Sequence, residues 1–223
     1  MIRFKNVFKS YKAGATRKYI LRNATFELPW RNIAILGVNG AGKSTMVRML
    51  AGAELPDKGE IQRDVSISWP LGFSGAFHGS LSGIENLRFV CRIYNKRMDD
   101  VIGFVEDFAG LGPYLEMPVK TYSSGMRARL AFALSMAVDF ECYLIDEITA
   151  VGDATFQQRC VREFERKQES SRIILVSHSE STVRKYCDMG GVLYNSELTL
   201  YDEIDDAIKS YQEILRSIAA AKV

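Results

Sequence analysis

The segment Gly37-Val-Asn-Gly-Ala-Gly-Lys-Ser44 constrains the fold most, because it matches GxxxxGK[ST] at every fixed position. A short apolar strand, Asn32 to Leu36, is predicted to run directly into it, and helical spacing begins at Lys43. This order is typical of a loop that cradles phosphate, since glycine lets backbone N–H groups approach the oxygens. The alternative is a glycine turn that only joins strand to helix, and the order of elements argues against it. We therefore expect this chain to bind a nucleoside triphosphate.

Each part of this loop has an expected role. The helix N-terminus contributes its positive dipole end to the phosphates. Lys43, also a candidate catalytic residue, is expected to bridge the β- and γ-phosphates, the Ser44 hydroxyl to ligate Mg²⁺, and Thr45 to donate to a phosphate. The candidate nucleotide contacts are Gly37, Val38, Asn39, Gly40, Ala41, Gly42, Lys43, Ser44 and Thr45.

Two acids end a second apolar strand, Glu141-Cys-Tyr-Leu-Ile-Asp-Glu147. Adjacent residues of a strand point to opposite sides, so Asp146 and Glu147 should differ in role. Asp146 is suited to hold Mg²⁺ through water, and Glu147 to activate the attacking water as the catalytic base. Taken alone, such a pair often caps a helix. The phosphate loop in the same chain favours the catalytic interpretation.

His178 follows a third apolar strand, Ile173 to Val176. Ligands bind at the carboxyl ends of strands in parallel α/β sheets. We therefore predict that His178 is catalytic, reaching the γ-phosphate and holding the water and Glu147 in register. A structural histidine is the alternative.

The order of elements predicts an α/β core. Residues 1–30 are expected to form short strands, and polar or amphipathic helices are expected at about 155–169 and 203–219. A helical block at about 83–138 is predicted to be inserted in this core, and the whole of 1–223 to form one domain.

Composition excludes several classes of protein. The chain has 29 basic and 27 acidic residues and a net charge of +2, so no strong field favours a nucleic-acid partner. Its four cysteines lack CxxC spacing, which favours reduced thiols, and two histidines are too few for a multi-histidine metal centre. The longest apolar stretch, Leu130 to Val138, is about half the length that a bilayer crossing needs. We expect no direct membrane span.

A further motif opens a helix ahead of the strand that carries Asp146. The segment Tyr122-Ser-Ser-Gly-Met126 resembles the LSGGQ signature of ABC transporter ATPases, with Ser123 and Gly125 matching. The resemblance spans essentially the whole chain. It implies a P-loop NTPase core of the ABC ATPase type, with an N-terminal antiparallel β subdomain and the inserted helical subdomain. The departures from the signature are Tyr122, Ser124 and Met126.

The resemblance implies ATP and Mg²⁺ as cofactors and a second copy of the chain as partner. Ser123 and Gly125 would bind the γ-phosphate of ATP held by that copy, so that a head-to-tail dimer sandwiches two ATPs. Tyr11 matches the aromatic residue that stacks on adenine. Asp153 matches the acid of the loop that contacts the partner, and His178 matches the switch histidine.

One departure concerns a glutamine that the family usually carries after the strand Ser66 to Trp69. From Trp69 to His78 this chain has no glutamine, so we expect a main-chain group or water in its place. His78 is expected to be a loop residue on the side of the transmembrane partner rather than a catalytic one.

The amino-acid sequences of segments 69–82, 122–130 and 149–156 closely resemble those of capsule polysaccharide exporters of Gram-negative bacteria. This implies an ATPase that powers capsule export through a separate transmembrane permease, as a peripheral protein on the cytoplasmic face of the inner membrane. Related O-antigen exporters often add a carbohydrate-binding domain. The sequence here ends soon after one amphipathic helix, which also leads us to expect the capsule branch.

Two alternatives remain open from the sequence. The cargo could be O-antigen, teichoic acid or a small solute, because a motor subunit touches the membrane protein and not the cargo. The chain could instead be a soluble ABC protein that acts on ribosomes or DNA repair. The near-neutral charge argues against the second alternative.

Overall fold

The computed structural model of the chain describes residues 1–14, 16–71, 77–146 and 154–221. The chain divides into two compact units. The first unit comprises Met1–Pro70, Glu141–Ile148 and Arg172–Val223, and the second comprises Leu71–Phe140 and Thr149–Ser171.

The first unit begins with a three-stranded antiparallel sheet. Its strands are β1 (Ile2–Ala13), β2 (Thr16–Leu28) and β4 (Lys58–Arg63), in the order β2-β1-β4. The register pairs Tyr11 with Lys18, so these two side chains share one face of the sheet. This sheet confirms the predicted N-terminal antiparallel subdomain.

A five-stranded sheet forms the centre of the first unit, in the order β5-β6-β3-β7-β8. Strands β5, β6, β3 and β7 are parallel, and β8 is antiparallel to β7. Strand β3 is buried along its whole length, as expected of a sheet covered on both faces. The carboxyl ends of β3, β5 and β6 meet at one edge of the sheet. The strands are β3 (Ile33–Leu36), β5 (Cys142–Asp146), β6 (Arg172–Val176), β7 (Met189–Tyr194) and β8 (Glu197–Tyr201).

One hydrophobic core joins the two sheets of this unit, and helix α1 (Lys43–Leu50) is buried within it. Each buried aliphatic side chain contributes about 1.5–3 kcal/mol relative to an exposed one. Helices α6 (Glu180–Tyr186) and α7 (Ile204–Ala220) complete the unit, and α7 buries Ala207 and Ile208. The helix that follows the phosphate loop is therefore fixed by packing. The α1 side chains in the core are Met46, Val47, Met49 and Leu50.

The second unit is helical and has its own aromatic core. Phe108 of α3 stacks on Phe132 of α4 and meets Phe156 of α5 edge-on. Helix α2 begins with a capping box between Ser82 and Glu85, which satisfies two otherwise free N–H groups. The elements are α2 (Gly83–Ile93), α3 (Met98–Ala109), 3-10 turns at Gly112–Glu116 and Val119–Thr121, α4 (Ser124–Ala137) and α5 (Ala154–Gln168).

The fold differs from the sequence prediction in detail. The strand expected at Ser66 to Trp69 is reduced to a single bridge, from Ile67 to Cys142. Strands β4, β7 and β8 and helix α6 were not predicted. The insertion bounds of 83–138 stay a prediction. Over the described ranges, no helix combines the length and the apolar character needed to cross a bilayer.

Candidate functional site

Most of the predicted site residues in the first unit line one cavity of about 610 Å³. It lies where the glycine loop after β3, the end of β5 and the segment after β6 come together. Parallel strands bring these ends together because their carboxyl termini share one edge. The lining residues are Tyr11, Lys18, Ile20, Asn39, Gly40, Gly42, Lys43, Ser44, Thr45, Arg48, Asp146, Val176 and His178.

The backbone conformation at the N-terminus of α1 requires glycine at position 42. Gly42, the residue before the helix, has a φ of 110°, and a Cβ there would lie 2.3 Å from Ile20 Cγ2. No side chain caps this helix end. Its first N–H groups are therefore suited to bind an anion, as the sequence predicts.

Lys43 is buried against the glycine loop, with 8% of its surface exposed. Its Nζ donates to the Gly37 carbonyl at 2.7 Å and lies 3.3 Å from the Val38 carbonyl. The ammonium is thereby held within the curve of the loop, on the cavity wall. This placement suits the predicted contact with the β- and γ-phosphates.

Three of the predicted loop residues shape the loop instead of lining the cavity. A Cβ at Gly37 would lie 2.6 Å from the Leu193 carbonyl oxygen of β7, so only glycine fits there. The Ala41 N–H donates to the Val38 carbonyl at 3.0 Å and closes a turn. These contacts keep the remaining N–H groups at the start of α1 directed to the cavity.

The predicted magnesium and switch residues line the same cavity. Asp146 ends β5 and pairs in register with Val176 of β6, and His178 follows two residues later. Ser44 lines the cavity beside Lys43. A carboxylate and a hydroxyl are oxygen ligands of the kind that Mg²⁺ prefers, so Asp146 and Ser44 fit this ion. Glu147 and Asp153 lie outside the described residues.

Tyr11 lines the cavity from β1 and is anchored to α1 through its hydroxyl. That hydroxyl donates to Glu54 and lies 3.3 Å from Thr45 Oγ1. Arg48 completes the contact, with Nη2 3.3 Å from the Tyr11 oxygen and 3.2 Å from Thr45 Oγ1. The aromatic residue expected to stack on adenine and the expected phosphate donor Thr45 thus belong to one hydrogen-bonded network.

Glu54 is the charged centre of this network. It accepts from Lys9 Nζ at 2.8 Å and from Arg48 Nε at 2.9 Å. Burial alone would raise the pKa of the Glu54 carboxyl, but hydrogen bonds from Lys9, Tyr11 and Arg48 outweigh it and hold the pKa at about 2. Glu54 therefore stays ionised and keeps both cations beside the Tyr11 hydroxyl.

The signature-like segment lies in the second unit. Ser123 is the N-cap of α4, and its Oγ accepts from the Met126 N–H at 3.2 Å. Gly125 lies in the first turn, and a Cβ there would meet Ser123 Oγ at 3.9 Å. Tyr122, where the family signature has leucine, is buried and donates from its hydroxyl to the Tyr114 carbonyl. Its size is accommodated by packing inside this unit.

Four lining residues were not predicted from the sequence: Lys18, Ile20, Arg48 and Val176. Three of them could have been found. Once β1 and β2 are paired, Lys18 lies opposite Tyr11, and Ile20 follows on the same face. Arg48 lies on α1 one turn beyond Ser44, the spacing that places side chains on the same helix face.

This geometry defines a nucleotide-binding α/β domain with a glycine loop at the carboxyl edge of a parallel sheet. Residues 21–150 match the family described as ABC transporter. The chain belongs to this family. The likeness to solved ABC cassettes confirms the predicted fold class: the dimeric post-hydrolysis structure of the ATP-binding cassette MJ0796 bound to ADP and Pi has a TM-score of 0.73 at 19% identity, covering 92% of this chain and 99% of that one.

Other relatives are more alike in sequence, and two of them are of similar length. ATP-binding protein BexA of Haemophilus influenzae is 52% identical, over 96% of this chain and 99% of that protein. Capsule polysaccharide export ATP-binding protein CtrD of Neisseria meningitidis serogroup B is 50% identical, over 96% of this chain and 100% of that protein. Teichoic acids export ATP-binding protein TagH of Bacillus cereus is 34% identical, over 96% of this chain but 40% of that protein.

Proposed function

We propose that this chain is the ATP-hydrolysing subunit of an ABC exporter that moves capsular polysaccharide across the inner membrane through a separate transmembrane subunit. The assignment of the cargo rests on the 50% identity, along nearly all of both chains, to a protein named for capsule polysaccharide export. The 34% identity to the teichoic acids export protein, over 40% of that protein, favours the capsule over the teichoic acid alternative.

The cavity supports ATP as the nucleotide. Tyr11 supplies an aromatic face for adenine on one side, and the glycine loop supplies N–H groups for the phosphates on the other. Lys43 holds the β- and γ-phosphates in place and offsets their charge. Positioning and charge stabilisation account for most of the catalysis of phosphoryl transfer, so these residues contribute most to the proposed hydrolysis.

Water activation is assigned to the acid that follows β5. Glu147 takes a proton from the attacking water, and His178 holds that water and the γ-phosphate in register. Ser44 and Asp146 would hold Mg²⁺, which neutralises charge on the phosphates. The sequence from Asp146 to Glu147 supports this division, because adjacent residues at a strand end point to different sides.

The ATP site is completed by a second copy of the chain. Ser123 and Gly125 of one copy contact the γ-phosphate bound by the other, and Asp153 contacts the partner subunit. ATP binding closes this head-to-tail dimer and hydrolysis opens it, which moves the transmembrane subunit. The chain itself acts as a peripheral protein at the cytoplasmic face of the inner membrane.

The proposal is tested by replacing Lys43 with alanine in a strain that carries the gene. ATP hydrolysis by the purified variant and capsule at the cell surface are measured beside the intact gene. We expect both to be lost, with polymer accumulating inside the cell, because Lys43 has no substitute of like charge on the loop.

Each outcome separates the parts of the proposal. Loss of hydrolysis with a normal capsule would support the ATPase assignment and exclude capsular polysaccharide as the cargo. Hydrolysis at the full rate in Lys43→Ala would exclude the proposed phosphate-binding role of the glycine loop and Lys43. Copurification with nucleic acid rather than with a membrane subunit would favour a soluble ABC protein.

A further inference from the structure

The charges on the cavity wall are unequal. Among the described residues that line it, Lys18, Lys43 and Arg48 are cationic and Asp146 is anionic. Lys43 donates to loop carbonyls, and Arg48 is paired with Glu54. No role for Lys18 follows from the motifs discussed above.

Lys18 is placed beside the phosphate loop by strand pairing. It lies directly opposite Tyr11 in the register of β1 and β2, and paired residues of an antiparallel ladder point to the same face. Its side chain therefore extends into the cavity with Tyr11 and Ile20. Lys18 Nζ lies 3.2 Å from the point where a Cβ would stand on Gly40. The ammonium is thus close to the glycine loop.

The ammonium of Lys18 has no hydrogen bond or ion pair within the part of the chain that the structure describes, and the residue is exposed. Lys9, on the adjacent strand, shows the contrast. It is buried and contacts Glu54 at 2.8 Å and the Leu55 carbonyl at 2.7 Å. Lys9 therefore has a structural role, whereas Lys18 presents its charge to the cavity.

We propose that Lys18 is a further nucleotide-binding residue, whose ammonium contacts the phosphate chain from the β2 side of the cavity. This inference rests on the proposed function, because it takes ATP as the ligand. An ammonium favours an anionic partner, and a charge-assisted hydrogen bond is stronger than a neutral one. Its position over Gly40 directs it to the phosphates, since the base would lie on Tyr11.

The test compares dissociation constants of ATP, ADP and adenosine for the full chain and two variants. In Lys18→Ala we expect ATP and ADP to bind about three- to tenfold more weakly and adenosine to bind unchanged, as for the loss of one partly exposed charge contact. The dependence of ATP affinity on salt should also fall, because one charge pair is removed. Lys18→Arg should restore most of the affinity.

Lys12→Ala is the matched control. Lys12 is exposed on β1, one register pair further along, opposite Arg17, so its side chain points to the other face of the sheet. Its removal changes the net charge by the same amount as Lys18→Ala but leaves the cavity intact. We expect nucleotide affinity like that of the unaltered chain.

The outcomes distinguish this inference from the proposed function. Equal ATP affinity in Lys18→Ala and Lys12→Ala would overturn the role of Lys18 and leave the ATPase standing. An equal loss of affinity for ATP and adenosine in Lys18→Ala would also overturn it. Adenosine has no phosphate, so the loss of a phosphate contact cannot weaken its binding. If the unaltered chain bound no ATP at all, the proposed function and this inference would both fail.

Discussion

The N-termini of α1 and α4 are both candidate anion sites, but they are built differently. Helix α1 begins after Gly42 in a left-handed conformation, with no side-chain cap. Helix α4 begins after Ser123 in an extended conformation, and the Ser123 hydroxyl accepts from the Met126 N–H. One helix end leaves its first N–H groups to a ligand, whereas the other satisfies at least one of them internally.

The surroundings of the two helix ends differ as well. At α1, Lys43 is held on a cavity wall by loop carbonyls. At α4, the nearby cation Arg127 donates to the Tyr122 carbonyl at 2.6 Å and holds the turn itself. The α1 site therefore has a cavity, a cation and uncapped N–H groups within one unit. The α4 site has the features of a helix cap, and under the proposed function it gains a ligand only from a second copy.

The largest expected effect comes from Glu147→Gln, which removes the proposed general base. Removal of a general base costs about 10²- to 10⁴-fold in rate. We expect hydrolysis to fall by about this amount while ATP binding remains, so that the ATP-bound dimer accumulates. Hydrolysis rates and dimer content with ATP are measured, the latter by size-exclusion chromatography.

The control for that experiment is the double variant Lys43→Ala with Glu147→Gln. It should neither bind ATP nor dimerise, because the α1 site is lost. Hydrolysis at the normal rate in Glu147→Gln would exclude Glu147 as the base.

The next largest effect is expected from Gly42→Ala, which alters the α1 site alone. A Cβ at Gly42 would lie 2.3 Å from Ile20 Cγ2, on a backbone with a φ of 110°. We expect ATP affinity to fall at least about tenfold and stability to fall by about 1–3 kcal/mol, because the loop must shift.

Gly52→Ala is its matched control. Gly52 has a φ of 74°, and a Cβ there would meet nothing within 4 Å. Stability should fall because of the backbone strain, but ATP affinity should not change. Unaltered ATP affinity in Gly42→Ala would show that the loop does not need this glycine for phosphate.

A smaller effect is expected from Ser123→Ala, which alters the α4 site alone. Loss of the cap should lower the free energy of unfolding by about 1 kcal/mol. ATP binding to the monomer should not change, whereas hydrolysis by the dimer should fall about tenfold, as for one lost phosphate contact. Denaturant unfolding, ATP titration and steady-state hydrolysis measure the three quantities.

Ser82→Ala is the control for α4, because Ser82 caps α2 in the same unit. It should lose a similar amount of stability without any change in hydrolysis. If both variants hydrolyse ATP at the normal rate, Ser123 is a helix cap only.

The loop before α1 could be located from the sequence because its pattern is local. The GxxxxGK[ST] spacing, the apolar strand before it and the acid after β5 each depend on a few consecutive residues. The same local patterns predicted α5 and α7 and strands β5 and β6 to within one or two residues. Six of the nine predicted loop residues line the cavity: Asn39, Gly40, Gly42, Lys43, Ser44 and Thr45.

The part of the cavity lined by Tyr11 could not be predicted in the same way. The contacts of Tyr11 with Glu54 and Arg48 join residues 43 and 37 positions apart, and no local spacing encodes them. Strand β7 was missed because Gly190 and Gly191 interrupt its apolar pattern. Gly190 is nevertheless required, since a Cβ there would lie 2.4 Å from Ala207 Cβ of α7.

The smallest functional effect is expected from Glu54→Gln, which weakens the network that joins Tyr11 to α1. The folded-state pKa of Glu54 is about 2, below the ordinary 4.5, so its stabilisation is complete above about pH 4.5 and is lost as the pH falls towards 2. Near pH 7 the variant should be less stable by about 1–2 kcal/mol, because the carboxylate accepts from two cations. ATP affinity should fall a few-fold, since the Tyr11 ring is held less firmly.

The pH dependence separates this network from a general effect of charge. Denaturant unfolding between pH 6 and pH 3 should show a smaller loss of stability in Glu54→Gln than in the unaltered chain, because the group that takes up a proton is gone. Glu60→Gln, which changes an exposed carboxylate of β4, should follow the unaltered chain. If Glu54→Gln also follows it, Glu54 does not stabilise the wall that carries Tyr11, and the α1 site depends on the glycine loop alone.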